Sequence, residues 1–205
     1  MENFNIKRKC MYYKLLLFLL TICIYTNCNS GNCIKGNCVN GNGSFHYSNG
    51  DVYVGKWMDG KKHGVGKYVF NNGDAFEGEF QHDKIKGQGV FTFSSGLIAK
   101  GYFIDNKLNG KGSFRLPNGD YYEGEIINNL ANGHGVIKFT TNDQYEGNFK
   151  DNVFHGYGKM IISNGDEYIG EFKNGKRHGQ GKYIHKDGRI REGKWEHGAF
   201  VGNRP

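Results

Sequence analysis

Glycine returns through most of this chain at a fixed spacing of 23 residues. Gly50, Gly73, Gly96 and Gly119 stand 23 apart, and after Asn142 the phase resumes at Gly165 and Gly188. Counting each of these as position 0, glycine recurs at +5 (Gly55 through Gly193), at +14 (Gly64 through Gly202) and at +16 (Gly66 through Gly181). A period of this length marks a repeat architecture, in which each repeat is one supersecondary unit that buries its apolar face against its neighbours. It also narrows the fold class. An interior glycine costs a helix about 1 kcal/mol relative to alanine, so 33 glycines in 205 residues exclude long helices. Glycine at every third residue is absent, which excludes a collagen helix. Aromatic residues at 15% are too many for a disordered chain.

The bulky residues keep the same phase. Position +3 carries Tyr53, Phe76, Tyr122, Tyr145 and Tyr168, with Ala99 and Arg191 as departures. Position +7 carries Trp57, Phe80, Phe103, Ile126, Phe149, Phe172 and Trp195. Positions +18 and +20 are also bulky, as in Tyr68, Phe70, Phe91 and Phe93. Residues two apart share a face of a strand. Each repeat therefore reads as two strands with one aromatic face interrupted by glycine, and an opposite face carrying charges such as Lys67, Glu77, Glu79 and Lys159. Asn49-Gly50, Asn72-Gly73, Asn118-Gly119 and Asn164-Gly165 mark one turn of each period, and Asp59-Gly60 and Asn174-Gly175 the other. The expected fold is all-β: an elongated, twisted antiparallel sheet of successive hairpins. Its array spans residues 41–205, with repeats starting near 50, 73, 96, 119, 142, 165 and 188.

The first 30 residues contain no glycine and follow different rules. Lys7, Arg8, Lys9 and Lys14 precede an apolar run from Leu15 to Tyr25. That run is shorter than the ~20 residues a bilayer-spanning helix needs. A basic segment followed by 7–15 apolar residues has the form of a secretory signal, so residues 1–27 read as a cleaved export segment and 28–40 as a linker or degenerate N-terminal cap. Cys28 lies just past the apolar run, where a bacterial lipoprotein box places its lipidated cysteine, although Tyr25 and Asn27 fit that box loosely. Lipidation at Cys28 and ordinary cleavage near residues 27–30 are the two readings. Of five cysteines, Cys10 and Cys23 leave with the signal. With Cys28 acylated, Cys33 and Cys38 remain as a pair, and an oxidising compartment favours a disulfide between them. The rival, a zinc site, lacks a second ligand pair. The formal charge of +7 falls to +4 once residues 1–27, with four basic residues and one acid, are removed. That is too small an excess for a nucleic-acid-binding footprint.

Gly50-Asp51-Val52-Tyr53-Val54-Gly55-Lys56-Trp57, continued by Gly60 and His63-Gly64-Val65-Gly66, resembles the MORN repeat (membrane occupation and recognition nexus) throughout, and Gly165 to Gly181 nearly as well. An export segment followed by such an array is similar to bacterial MORN-repeat lipoproteins. The resemblance implies consecutive hairpins that each touch only their neighbours. It also implies a binding or scaffolding role at a membrane, with phospholipid headgroup binding as one proposed activity of the family. Ala99 and Arg191 at the aromatic position lead us to expect looser packing there.

Catalytic motifs are missing: there is no GxSxG, P-loop or HExxH. The Gly-x-Gly pairs at +14 and +16 recur within a strand pattern with no helix to follow, so repeat geometry explains them better than a phosphate loop. His63, His155 and His178 all occupy +13. Equivalent positions in adjacent hairpins lie two strands, about 9–10 Å, apart, too far for two of them to share a metal. The expectation is no metal, no cofactor, no small-molecule substrate and no enzyme activity. The chain ends at Pro205, three residues past Gly202, and the expectation is that no catalytic domain is appended. The variable segment at +11 to +13 reads as a row of loops along one edge, rich in Lys61, Lys62, Lys84, Lys86, Lys107, Lys176 and Arg177. That edge is the candidate binding surface for an anionic membrane or a protein partner. The full expectation is an exported, membrane-anchored scaffold. The alternatives are direct headgroup binding or service as an accessory subunit to an enzyme supplied in trans.

Overall fold

The computed structural model describes residues 30–202, so the export segment and Cys28 lie outside the described residues, as do residues 203–205. The described residues form sixteen β-strands and no helix. Contacts divide the chain at Pro117/Asn118 into two units. The first holds β1 (Gly31–Gly36), β2 (Gly41–Tyr47), β3 (Val52–Met58), β4 (Lys61–Val69), β5 (Ala75–Gln81), β6 (Lys84–Thr92), β7 (Ile98–Ile104) and β8 (Lys107–Arg115). The second holds β9 (Tyr121–Ile127), β10 (Leu130–Lys138), β11 (Gln144–Lys150), β12 (Val153–Ile161), β13 (Glu167–Lys173), β14 (Lys176–Ile184), β15 (Ile190–Glu196) and β16 (Ala199–Gly202). Within each unit every strand pairs antiparallel with its neighbours in sequence order. The segment expected as a linker or cap contains β1, which pairs with β2.

The two turns of each period differ. At +9 and +10 both residues have positive φ, as in Asp59 (53°) and Gly60 (71°) or Asp105 (47°) and Asn106 (68°). This is the two-residue turn whose twist matches a hairpin, and Asp and Asn tolerate it. The other turn is longer. Phe70 and Asp74 close it with the Phe70 N–H on the Asp74 carbonyl at 2.9 Å, and the Gly73 N–H bonds back to the Phe70 carbonyl at 3.0 Å.

The second strand of the hairpin carries a bulge. Gly55 pairs with Gly66, but Trp57 pairs with Lys62, so three residues of β4 face one residue of β3. Gly64, in the middle of that bulge, has φ of 59°, a conformation a β-carbon would strain. The same shift recurs between β5 and β6, β9 and β10, β11 and β12, and β13 and β14. The +14 glycines are thus bulge residues.

One face of the sheet is the core. Tyr53 meets Trp57 at 5.0 Å and the next repeat's Phe80 at 5.1 Å between ring centres, both edge-to-face. In the second unit Tyr145 meets Phe149 at 5.3 Å and Phe172 at 5.0 Å, and Tyr168 meets Phe172 and Trp195 likewise. Position +3 therefore wedges between its own +7 ring and that of the following repeat. The geometry suits the ring quadrupoles and adds about 0.5–1.5 kcal/mol per pair to the burial itself. The Tyr53 hydroxyl reaches the Lys56 carbonyl at 3.0 Å, which lays the ring across Gly55 and Gly66. A β-carbon on Gly66 would fall inside that ring, so +5 and +16 are glycine because an aromatic ring occupies the space. Ala99 does not loosen the packing as expected: it is buried, and Leu108, fully buried, fills the space beside Gly101. Arg191 is exposed.

Candidate binding surface

The edge segment at +11 to +13 is not a row of loops. Lys61, Lys84, Lys107, Leu130, Val153 and Lys176 each begin the second strand of a hairpin. The bulge then turns the +12 side chain onto the aromatic face, so Ile85 and Leu108 are fully buried, Ala131 and Phe154 nearly so. This overturns the surface role expected for Lys62, and it draws Arg177 partly into the aromatic face. The Lys62 side chain is 9% exposed, its ammonium lies 5.3 and 5.0 Å from the Tyr47 and Tyr68 ring centres, and it pairs with Asp83 at 3.5 Å. Burial lowers its pKa, against the pull of Asp83. The Arg177 guanidinium lies 4.5 Å from the Trp195 ring centre and donates to the Gly198 carbonyl at 3.0 Å. Lys62 is a core residue and Arg177 is half-buried, and ring faces hold both cations. Of the rest of the proposed edge, Lys84 is paired with Asp105 at 3.0 Å, Lys61, Lys86 and Lys107 are exposed, and Lys176 is half-buried.

Cys33 and Cys38 are joined by a disulfide that spans the turn between β1 and β2, their Cα atoms 6.0 Å apart.

Two ladders of side chains that the sequence reading passed over bind each hairpin to the next. Position +1 is Asp51, Asp74, Asp120, Asp143 and Asp166 in five repeats. Each accepts the backbone N–H at +21 of its own repeat, in the next long turn, at 2.7–2.8 Å. Asp51 and Asp166 also accept the hydroxyls of Tyr68 and Tyr183, both at 2.6 Å. The hydrogen bond from Tyr183 is the largest influence holding the Asp166 carboxyl below the usual carboxylate range. At the other turn, Asp83, Asn106 and Asn152, all at +10, accept the +12 N–H of the preceding repeat at 2.7–2.9 Å. A recurrent Asp one residue after the turn glycine was the sequence signal for the first ladder. The second had a weaker signal, because +10 is Asx from Asp83 to Asn152 and glycine at Gly60, Gly175 and Gly198.

On the outer face, Glu79, Glu125 and Glu171 at +6 fold over the bulge and accept the N–H at +15. Other charges pair across strands, Lys67 with Glu77 at 3.7 Å and Lys159 with Glu167 at 2.9 Å. These carboxylates form a solvated sheet face and not an acid/base pair. Between them, in the first unit, Val65, Lys67, Glu77, Gln88, Val90 and Lys100 line an open trough of about 570 Å³. Val65 is 69% exposed, and in the second unit Tyr157 is 62% exposed on the same kind of position. No group of three or more His, Cys, Asp or Glu that could hold a metal occurs among the described residues, and no helix among them is long and apolar enough to cross a membrane.

Fold and surface together define a β-hairpin repeat protein in which ladders of Asp and Asn side chains tie each hairpin to the next. The MORN repeat pattern matches residues 40–52, 53–75, 76–98, 100–121, 122–144, 145–167 and 168–188, and the chain belongs to the MORN repeat family. No curated protein matches the sequence significantly. Among solved structures, the chain is similar to the TCP domain of SAS-4 (dCPAP) from Drosophila melanogaster, solved in complex with a proline-rich motif of Ana2. The identity is 14%, the TM-score 0.51, and the match covers 80% of this chain and 90% of that one. It is also similar to the TCP10 domain of Danio rerio CPAP, at 15% identity and TM-score 0.32, over 76% of this chain and 90% of that one. The first of these likenesses is one of fold.

Proposed function

We propose that this protein is an exported, non-catalytic scaffold, anchored to a membrane by an acyl chain on Cys28, that holds an extended segment of a partner protein on its outer sheet face. The observation that carries the binding reading is the trough of β4 to β7. It offers exposed Val65 beside Val90, rimmed by Lys67, Glu77 and Lys100. Apolar floor with a polar rim is the make-up of a protein-binding patch. The fold relative solved with a proline-rich motif supports an extended ligand. The headgroup-binding alternative is weakened by the burial of Lys62, by the stacking of half-buried Arg177 on Trp195 and by the pairing of Lys84.

Purification from native membranes tests the binding reading. The same partner should accompany the wild-type chain and be lost with Val65→Asp and Val90→Asp combined. Retention of the partner by that variant would sink the outer-face assignment. Flotation with anionic vesicles of a Lys61, Lys84, Lys86 and Lys107 charge-reversal variant tests the alternative, since headgroup binding requires its release. For the anchor, Cys28→Ala should move the protein out of the detergent phase. A Cys28→Ala protein still in that phase would mean the acyl chain is not what holds it.

A further inference from the structure

The side chain at +13 of one repeat faces the residue at +9 of the next. Asn132 and Asp151 hydrogen-bond across this step, with the Asp151 N–H on Asn132 Oδ1 at 3.2 Å, and Lys86 lies near enough to Asp105 to act on its charge, after the larger effect of Lys84. In two repeats both positions are histidine. His63 and His82 stand 5.3 Å apart between ring centres in the first unit, and His178 and His197 stand 5.9 Å apart in the second. We propose that each pair is a bis-imidazole site for a borderline divalent metal such as Cu²⁺, Ni²⁺ or Zn²⁺, which would staple one hairpin to the next.

Two imidazole nitrogens about 2.0–2.1 Å from one metal put the ring centres roughly 5–6 Å apart at tetrahedral or wider angles; both pairs have that spacing with the rings edge-to-face at 73° and 64°, so a turn of the exposed ring would bring a nitrogen of each to one metal. Equivalent histidines at +13 are two strands apart and cannot share a metal, but the +13 to +9 step brings different positions of neighbouring repeats together. Nδ1 of His63 is buried and has no hydrogen-bond partner. A protein donor would normally satisfy such an atom, so a nitrogen ligand is left available. His82 and His197 sit in the short turns with φ of 48° and 52° and are exposed, so their rings are free to turn toward a metal. The Lys62 ammonium, next in sequence to His63, points away to the aromatic face between Tyr47 and Tyr68. In the second pair, Glu196, next in sequence to His197, is paired with Lys194 at 2.9 Å. Imidazole favours Cu²⁺ over Ni²⁺ and Zn²⁺ at equal geometry, and water completes the coordination.

Titration of the tag-free full chain with Cu²⁺, followed by electron paramagnetic resonance and thermal melts, tests the assignment. Wild type should take up two equivalents, each with the superhyperfine pattern of two nitrogens, and its melting temperature should rise with metal. His82→Asn and His197→Asn should each remove one equivalent, and together should abolish both the two-nitrogen signal and the metal-induced rise. Asparagine accepts positive φ, so the variants keep the turn, and unchanged melts without metal verify that. His155→Asn, whose +9 partner is Asn174, should leave both equivalents in place. Two-nitrogen binding that survives the double variant, or no binding at equimolar metal, would overturn the proposal. One equivalent lost with one pair alone would overturn it for the other pair.

Discussion

At the residue scale, chemistry that looks like function is spent on packing. Lys62 occupies the slot that Ile85 and Leu108 fill elsewhere. Replacing a buried ion pair by apolar side chains of similar volume is often neutral or stabilising by about 1–4 kcal/mol, and removing one partner alone is costly only where the other charge stays buried. Asp83 is one-third exposed and can be solvated once its partner is gone, so Lys62→Leu should raise the unfolding free energy by about 1 kcal/mol. Urea titration measures it, and a loss of similar size would show that the ring and carboxylate contacts outweigh the cost of burial. Asp166 behaves oppositely. It holds the Tyr183 hydroxyl and the Lys186 N–H, and its folded pKa is depressed. The stability it adds is fully present above the unfolded value of about 4 and is lost as pH falls through the folded value. Asp166→Asn, which cannot accept the hydroxyl in the same way, should cost about 1–3 kcal/mol at pH 7. The gap to wild type should close in acid, and a gap that widens below pH 4 would contradict this reading.

At the scale of the element, the hairpin was legible in the sequence wherever chemistry repeats. The rings at +3 and +7, the glycines beneath them and the Asn-Gly turns announce two strands and one buried face. The bulge was not, because its glycine breaks the alternation, and +12 varies from Lys62 to Phe154 while always facing inward. Variable composition read as a loop was in fact the start of a strand, which is why the candidate basic edge lost Lys62 and, in part, Arg177. Asp at +1 recurs visibly, but a turn-like residue beside glycine explains it locally, and only the register across hairpins shows its reach to +21. The first hairpin differs from the others. Strand β1 is exposed along its whole length and pairs with β2, and the Cys33–Cys38 bridge closes a short loop. A loop that short is worth about 2 kcal/mol, all of it local. Replacing both cysteines by serine should speed amide exchange in β1 roughly 30-fold, the equivalent of that energy, with the melt of the remaining strands unmoved. A fall in the melting temperature of the whole chain would mean that β1 is part of the cooperative core.

At the scale of the whole molecule, the array predicts its own tolerance to editing. Contacts run between neighbouring repeats, so stability is close to a sum of repeat and interface contributions, and a deletion is tolerated when it keeps every position in phase. Removing residues 145–167 joins Gln144 to Tyr168, which passes from +2 to +3 without a break. Strand β13 would then lie beside β10 with Gly170 opposite Gly135, as Gly147 is now. Phe172 would meet Tyr122 as Phe149 does at 5.0 Å. Asp143, which now accepts the Ser163 N–H, would meet that of Lys186, the present partner of Asp166. One contact has no replacement: Ala131 donates to the Asn152 side chain at 2.7 Å, and Gly175 would stand there instead. The 23-residue deletion should therefore fold cooperatively, with a melting temperature lower by several degrees. Removing 145–166 instead shifts the register by one residue and turns every following ring to the charged face. That variant should lose the near-ultraviolet dichroism of its packed aromatics and bind a hydrophobic dye. If the two deletions proved equally stable, the edge-to-face ring contacts and Asp ladders would not be what sets the register of the array.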